Sequence, residues 1–258
     1  MTSRHGYFFH YDPSVAGVVI ASIVFGIITA FHIYFFVKTY KTMRIKIMVV
    51  LSMASFNEVL GYALRIPGSN SKPTGGLASL SPLLLLFTPL MVTSVIYYVF
   101  SKIATNIAAH NLPIKPTLML KIWSVGDIIC QLTISAGAMI ASRSKPSSGK
   151  GILLAGLAIH FVILSVFMVI VVTWHRRVLQ NSATQLAIST GRDISAIYIT
   201  CTLILLRTLL RSVEFATGPN GALQKHEAPF YFYESLPITL AFVACLQWYH
   251  IETLKASL

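Results

Sequence analysis

Four of the chain's eight acids, Glu58, Asp127, Glu214 and Glu234, fall in or beside long apolar runs. An ionisable side chain near the centre of a bilayer costs from about 2.5 kcal/mol upward, so each needs a partner, a water-filled cavity or a function. Glu58, Gly61, Tyr62 and Arg65 stand at i, i+3, i+4 and i+7 and form one stripe if their segment is helical. At 1.5 Å per residue Glu58 and Arg65 are then roughly 10 Å apart along the axis, too far to neutralise each other, and must look to other helices. Asp127 and Gln131 share a second face that Ser135 continues, and Arg207, Arg211 and Glu214 make a third on which Arg211 and Glu214 can pair at i, i+3. The simplest neutralisation sets Arg207 or Arg211 against Asp127 or Glu58. Such a network either fixes helix register and does no more, or lines a polar, partly hydrated pocket at mid-bilayer that accepts an amphiphile's head group. Glu234 has an alternative place at the membrane interface, where an acid costs little and Tyr231 and Tyr233 would form an aromatic belt.

The elements that carry these residues follow from composition. The 258-residue chain is 55% hydrophobic and 11% charged, with a mean hydropathy of +0.72. A soluble domain carries roughly 25% charged residues, so a soluble enzyme is excluded. The net charge of +12 sits in short basic clusters between apolar runs, which marks cytoplasmic membrane loops facing anionic headgroups and not a nucleic-acid surface. A bilayer core of about 30 Å needs roughly 20 apolar residues per helix. That ruler predicts seven spans, at about 15–37, 45–66, 82–100, 119–141, 152–174, 194–210 and 230–249, as one all-α transmembrane bundle over 1–258. The first span is too long for a signal-peptide core and no cleavage site follows it, so it is expected to be retained. The sixth is the least apolar, because Arg207 lies inside it. Runs this continuously apolar exclude the alternating pattern of a β-barrel. Small residues at four-residue spacing, Ser22, Gly26 and Ala30, Gly137 and Ala141, and Gly151 and Ala155, mark places of close helix approach.

Orientation follows from the bases. With the N-terminus outside, the inner segments carry Lys38, Lys41, Arg44, Lys46, Lys102, Lys115, Lys121, Arg176, Arg177, Arg192 and Lys255, and the outer ones Arg4, Lys72, Arg143, Lys145, Lys150 and Lys225. Eleven against six predicts an outside N-terminus and a cytoplasmic C-terminus. Several chemistries fail on missing parts. The last span has no lysine for a retinal Schiff base, and the chain has no P-loop for ATP. His32, His160 and His250 lie on different spans without an HxxxH or HExxH pair, so neither a metal nor a haem is expected, and the sequence implies no catalytic residue or cofactor. Cys130, Cys201 and Cys245 lie in apolar runs and form no CxxC pair.

Several of these stretches together resemble one family. They are Phe56 to Arg65 (FNEVLGYALR), Gly126 to Gln131 (GDIICQ) with Ser135, Ala136 and Gly137, and Arg207 to Gly218 continuing through His226, Glu227 and Phe230 to Glu234 (FYFYE). In this order they resemble the fungal RTA-like family of lipid-translocating exporters, and His32 matches a histidine of its first helix. The chain has Glu234 where the family often has Asp, His160 where it has Gln, and Ile251 where it has Pro. The resemblance implies a seven-helix plasma-membrane protein that moves, or protects against, amphiphiles such as sphingoid long-chain bases, sterol-like toxins or porphyrins. On that reading Glu58, Tyr62, Arg65, Asp127, Gln131, Arg207, Arg211, Glu214, Glu227, Tyr231 and Glu234 line the polar path, with His32 in support. Two alternatives stay open: a seven-helix sensor with no flux of its own, and an intramembrane lipid hydrolase.

Overall fold

A computed structural model describes residues 14–43, 47–65, 77–108, 112–143, 146–181, 184–217 and 231–250. Among the described residues seven helices succeed one another: α1 Val15–Met43, α2 Met48–Ala63, α3 Leu77–Ala108, α4 Pro116–Arg143, α5 Pro146–Asn181, α6 Thr184–Thr217 and α7 Leu236–Cys245. A π-helical turn, Tyr231–Ser235, precedes α7 and a 3-10 turn, Leu246–His250, follows it. No strand occurs among the described residues. The protein is an α-helical polytopic membrane protein. Glu227 and most of the inter-helix loop residues lie outside the described residues.

Among the described residues five helices carry segments long and apolar enough to span a bilayer: Val15–Thr39, Leu80–Ile107, Pro116–Ala141, Ser147–Gln180 and Ile194–Thr217. The other two differ from the 20-residue ruler. The second is a 16-residue apolar helix, and the seventh is continuous α-helix for only 10 residues. Pro237 sits inside the seventh span and has no N–H to offer the carbonyl four residues back, so the regular ladder cannot run through it. A π turn is one way a membrane helix accommodates such a break. Prolines at Pro116 and Pro146 instead open α4 and α5, where a missing N–H costs nothing.

Sequential helices pack side by side from α1 to α7, and α7 returns to α1. At the centre lies α3, which also touches α5 and α6 and is 67% buried over its most apolar window, against 33% for α1, α4 and α5. The exposed residues are themselves apolar: Ile20, Ile23, Ile27, Val162, Val166 and Val169 face outward, as lipid-facing sides of a bundle must. Hydroxyls of Thr29, Ser94, Ser165 and Thr208 donate to carbonyls four residues back on their own helices, which satisfies them without water.

The tightest contact joins α4 to α5. A Cβ added at Gly137 would lie 2.4 Å from the Leu153 backbone nitrogen, one at Gly149 2.2 Å from that of Ala141, and one at Gly156 2.7 Å from the Ile134 side chain. The expected approach at Gly137 and Ala141 is therefore found, but the partner surface is Gly149, Leu153 and Gly156. Gly151, like Gly26 on α1, has nothing within 4 Å of an added Cβ, and Ala155 and Ala30 are exposed. Small-residue spacing identifies a face able to pack, and the neighbour's shape decides whether it does.

Gly137→Ala is expected to destabilise the bundle by about 1–3 kcal/mol, the cost of overpacking a closed contact. Gly26→Ala should leave stability unchanged or raise it by up to about 1 kcal/mol, because glycine inside an α-helix is less favourable than alanine. Unfolding of the two variants in mixed micelles, followed by far-UV circular dichroism, checks the contrast.

Candidate functional site

Two of the buried acids, Glu58 and Glu234, converge on Arg207, which is 3% exposed on α6. Its Nη2 donates to Glu234 Oε1 at 2.6 Å and to the Leu85 carbonyl at 2.8 Å, and its Nε donates to the Glu234 carbonyl at 3.3 Å. Glu58 Oε1 on α2 lies 3.6 Å from the same Nη2. One guanidinium thus ties α2, α3, α6 and the π turn before α7.

The Leu85 carbonyl is open to Arg207 for a local reason. Pro89 lies inside α3 four residues later and cannot donate the helical hydrogen bond that this carbonyl would otherwise accept. In a membrane such a carbonyl needs a donor from within the protein. A guanidinium, with five N–H groups in a fixed fork, can serve it and two carboxylates together.

Glu234 is fully buried, so its place is in this centre and not at the membrane interface. The π turn aims both its carboxylate and its carbonyl at Arg207. Arg211 does not reach Asp127 or Glu58 in an ion pair; it pairs with Glu214 at 2.6 Å along α6, as their i, i+3 spacing allows, and its guanidinium stacks on the Phe215 ring at 4.8 Å. Tyr62 stacks between Phe25, at 5.5 Å between centroids, and Tyr231, at 6.2 Å, and its hydroxyl hydrogen-bonds the Ser235 hydroxyl. Gly17 makes room for the Tyr231 ring, since a Cβ there would lie 2.8 Å from it. Gly61 likewise admits Leu85, and its carbonyl accepts from Ser81 at 2.7 Å. Arg65 is buried in the turn that ends α2.

Glu58 is the least satisfied acid of the centre. It is 0% exposed, and neither carboxylate oxygen has a hydrogen-bond partner among the described residues. Among the described residues its ion pair is with Arg207, shared with Glu234, which holds the shorter contact.

Asp127 forms a separate polar group. It accepts from Thr93 Oγ1 at 2.6 Å and from the Tyr97 hydroxyl at 3.4 Å, both on α3. His160 Nε2 on α5 lies 4.0 Å away. Gln131 donates to Ser135 at 3.1 Å. His32 meets the Tyr249 hydroxyl at 3.2 Å through Nδ1 and the edge of Phe242, away from both groups. Among the described residues no three His, Cys, Asp or Glu side chains cluster as metal ligands.

The RTA1 like protein family matches residues 51–256, from α2 to beyond α7. The chain belongs to that family. Glu58, Asp127, Arg207, Arg211, Glu214 and Glu234 all fall within the matched residues, whereas α1 with His32 precedes them. Among curated relatives, Protein RTA1 of Saccharomyces cerevisiae is 29% identical over 72% of this chain and 60% of its own length. Protoporphyrin uptake protein 1 of the same yeast is 23% identical over 92% of this chain and 89% of its own. Lipid-translocating exporter-like protein RTA1 of Leptosphaeria maculans is 21% identical over 89% of this chain and 48% of its own. The chain thus spans less than two thirds of the first and third of these relatives. No solved structure matches.

Sequence reasoning missed three parts of this RTA1-like site: the Leu85 carbonyl, the Thr93 and Tyr97 pair, and His160 as a neighbour of Asp127. A signal for the first two was available. Pro89 lies mid-span, and Thr93 and Tyr97 recur at i, i+4 on one face of the third run.

Arg207→Met should destabilise the protein by about 3–5 kcal/mol, because it strands buried carboxylates. Adding Pro89→Ala returns a helical donor to Leu85, so the double variant should be less damaged than the sum of the singles by about 0.5–3 kcal/mol. A double-mutant cycle on unfolding midpoints measures this coupling, and strict additivity would refute the link between Pro89 and Arg207.

Proposed function

We propose that the protein moves lipid-like amphiphiles between the leaflets of the fungal plasma membrane, and that the Arg207 centre is the polar step of the path. The observation that carries this reading is Glu58: a fully buried acid whose carboxylate oxygens have no hydrogen-bond partner among the described residues. A head group rich in donors, such as the ammonium and hydroxyls of a long-chain base, would satisfy those acceptors while the apolar helices solvate its tail. The reading is supported at the level of the family by a relative named as lipid-translocating exporter-like, and by another named for protoporphyrin uptake, since porphyrins too combine an apolar body with polar groups. It is a transport function without a covalent step. The distribution of bases supports an outside N-terminus and a cytoplasmic C-terminus, with the basic inner loops against anionic headgroups.

Purified protein in liposomes should accelerate transfer of a fluorescent long-chain base between leaflets. Glu58→Gln should slow that transfer by about tenfold or more, the kinetic weight of one charge-assisted contact, without altering the unfolding midpoint downward. Equal rates in the folded variant and the parent remove Glu58 from the path. No transfer by folded parent protein favours the sensor.

The orientation has its own test. All three native cysteines are buried, so a membrane-impermeant maleimide applied to intact cells should label Thr2→Cys well above the parent.

A further inference from the structure

A cavity of about 380 Å³ opens on the flank of the bundle between α2, α3 and α4. Its rim is apolar and outward-facing: Phe87, Ile128 and Leu132 are 37%, 59% and 65% exposed. Its polar lining is Asp127, Gln131 and Ser94. Asp127 lies near the middle of the Pro116–Ala141 span, so the mouth faces the hydrocarbon of the membrane and not water.

The hydrogen bonding of the lining defines what it can receive. Asp127 accepts from Thr93 and Tyr97, and among the described residues no lysine or arginine forms an ion pair with it. Gln131 donates one of its two amide N–H groups to Ser135, and its buried Oε1 has no hydrogen-bond partner among the described residues. Ser94 commits its hydroxyl proton to the Leu90 carbonyl. Every polar group of the cavity therefore presents an acceptor, one of them a carboxylate, against one remaining amide N–H on Gln131, at a depth where an uncompensated charge is costly. The complementary head is a cationic donor. The volume is at the lower end of the roughly 300–1,000 Å³ of small-molecule sites, which suits a head group with part of one chain.

We infer that this flank cavity is a lateral binding site for a single-chain amphiphile with an ammonium head, taken directly from the membrane, with the head on Asp127 and Gln131 and the chain along Ile128 and Leu132. The inference rests on the translocator reading and adds to it the place where the substrate leaves the lipid phase. It is a site apart from the Arg207 centre.

The test uses full-length protein in lipid nanodiscs and octadecylamine carrying a diazirine in its chain. Cross-links should map to 87–91 and 128–132 and be displaced by excess plain octadecylamine. They should fall by about tenfold or more in Asp127→Asn, the equivalent of one lost charge-assisted hydrogen bond. Leu132→Trp, which alters only the lipid-facing rim, should lower them as well and tests the site should Asp127→Asn fail to fold. The stearic-acid analogue of the probe should label these segments about tenfold less. Equal labelling by amine and acid, or labelling undiminished in both folded variants, overturns the site. Loss of the site while Glu58-dependent transfer persists leaves the translocator reading standing. Labelling as expected with no transfer by the parent removes that reading and keeps the site.

Discussion

A positive charge held away from water must be balanced by its neighbours, and in this protein that requirement falls on Arg207. Its guanidinium has donors enough for a carboxylate from the turn before α7, a carbonyl from α3 and an ion pair with α2. The helices it joins form two sequential pairs, α2 with α3 and α6 with α7, so the centre fixes the relative height and rotation of two segments of the chain far apart in sequence. The two local breaks in regular helix then have a common logic. Pro89 opens a carbonyl on α3, and the π turn presents a second carbonyl together with Glu234. Irregular backbone is tolerated in a membrane where protein donors meet it, and here one side chain meets both.

Around that anchor the polar residues divide into two groups with different balance. The Arg207 group sets two carboxylates on one cation, and the neighbouring Arg211–Glu214 pair is balanced within itself. The Asp127 group relies on neutral donors and one histidine. Both groups are richer in acceptors than in donors, and this asymmetry agrees with a substrate that supplies donors.

Much of the bundle was legible in the sequence because apolar length is a direct readout of bilayer thickness, and the 11% charged fraction leaves few polar residues to misplace. Gly61, Glu58 and Tyr62 were placed on one stripe by helical spacing alone. What spacing cannot supply is the partner. The i, i+3 rule contained the Arg211–Glu214 pair, whereas the choice between Glu58 and Asp127 for Arg207 depended on helices far apart in the chain. Glu234 was hard for a different reason: an acid that follows Tyr231 and Tyr233 reads as interfacial, and only the π turn Tyr231–Ser235 shows that it points inward. The glycine stripes misled at Gly26 and Gly151 because a small residue permits contact without requiring it.

The closure of α4 onto α5 divides the bundle mechanically. Backbone meets backbone at Gly137 and Gly149, so these two helices have no slack to slide past each other and behave as a single stave. The seam between α3 and α4 is built differently, from longer side chains bordering an open flank. Across that seam Thr93 and Tyr97 bond Asp127, so any displacement of the α4–α5 stave from α3 must break buried hydrogen bonds.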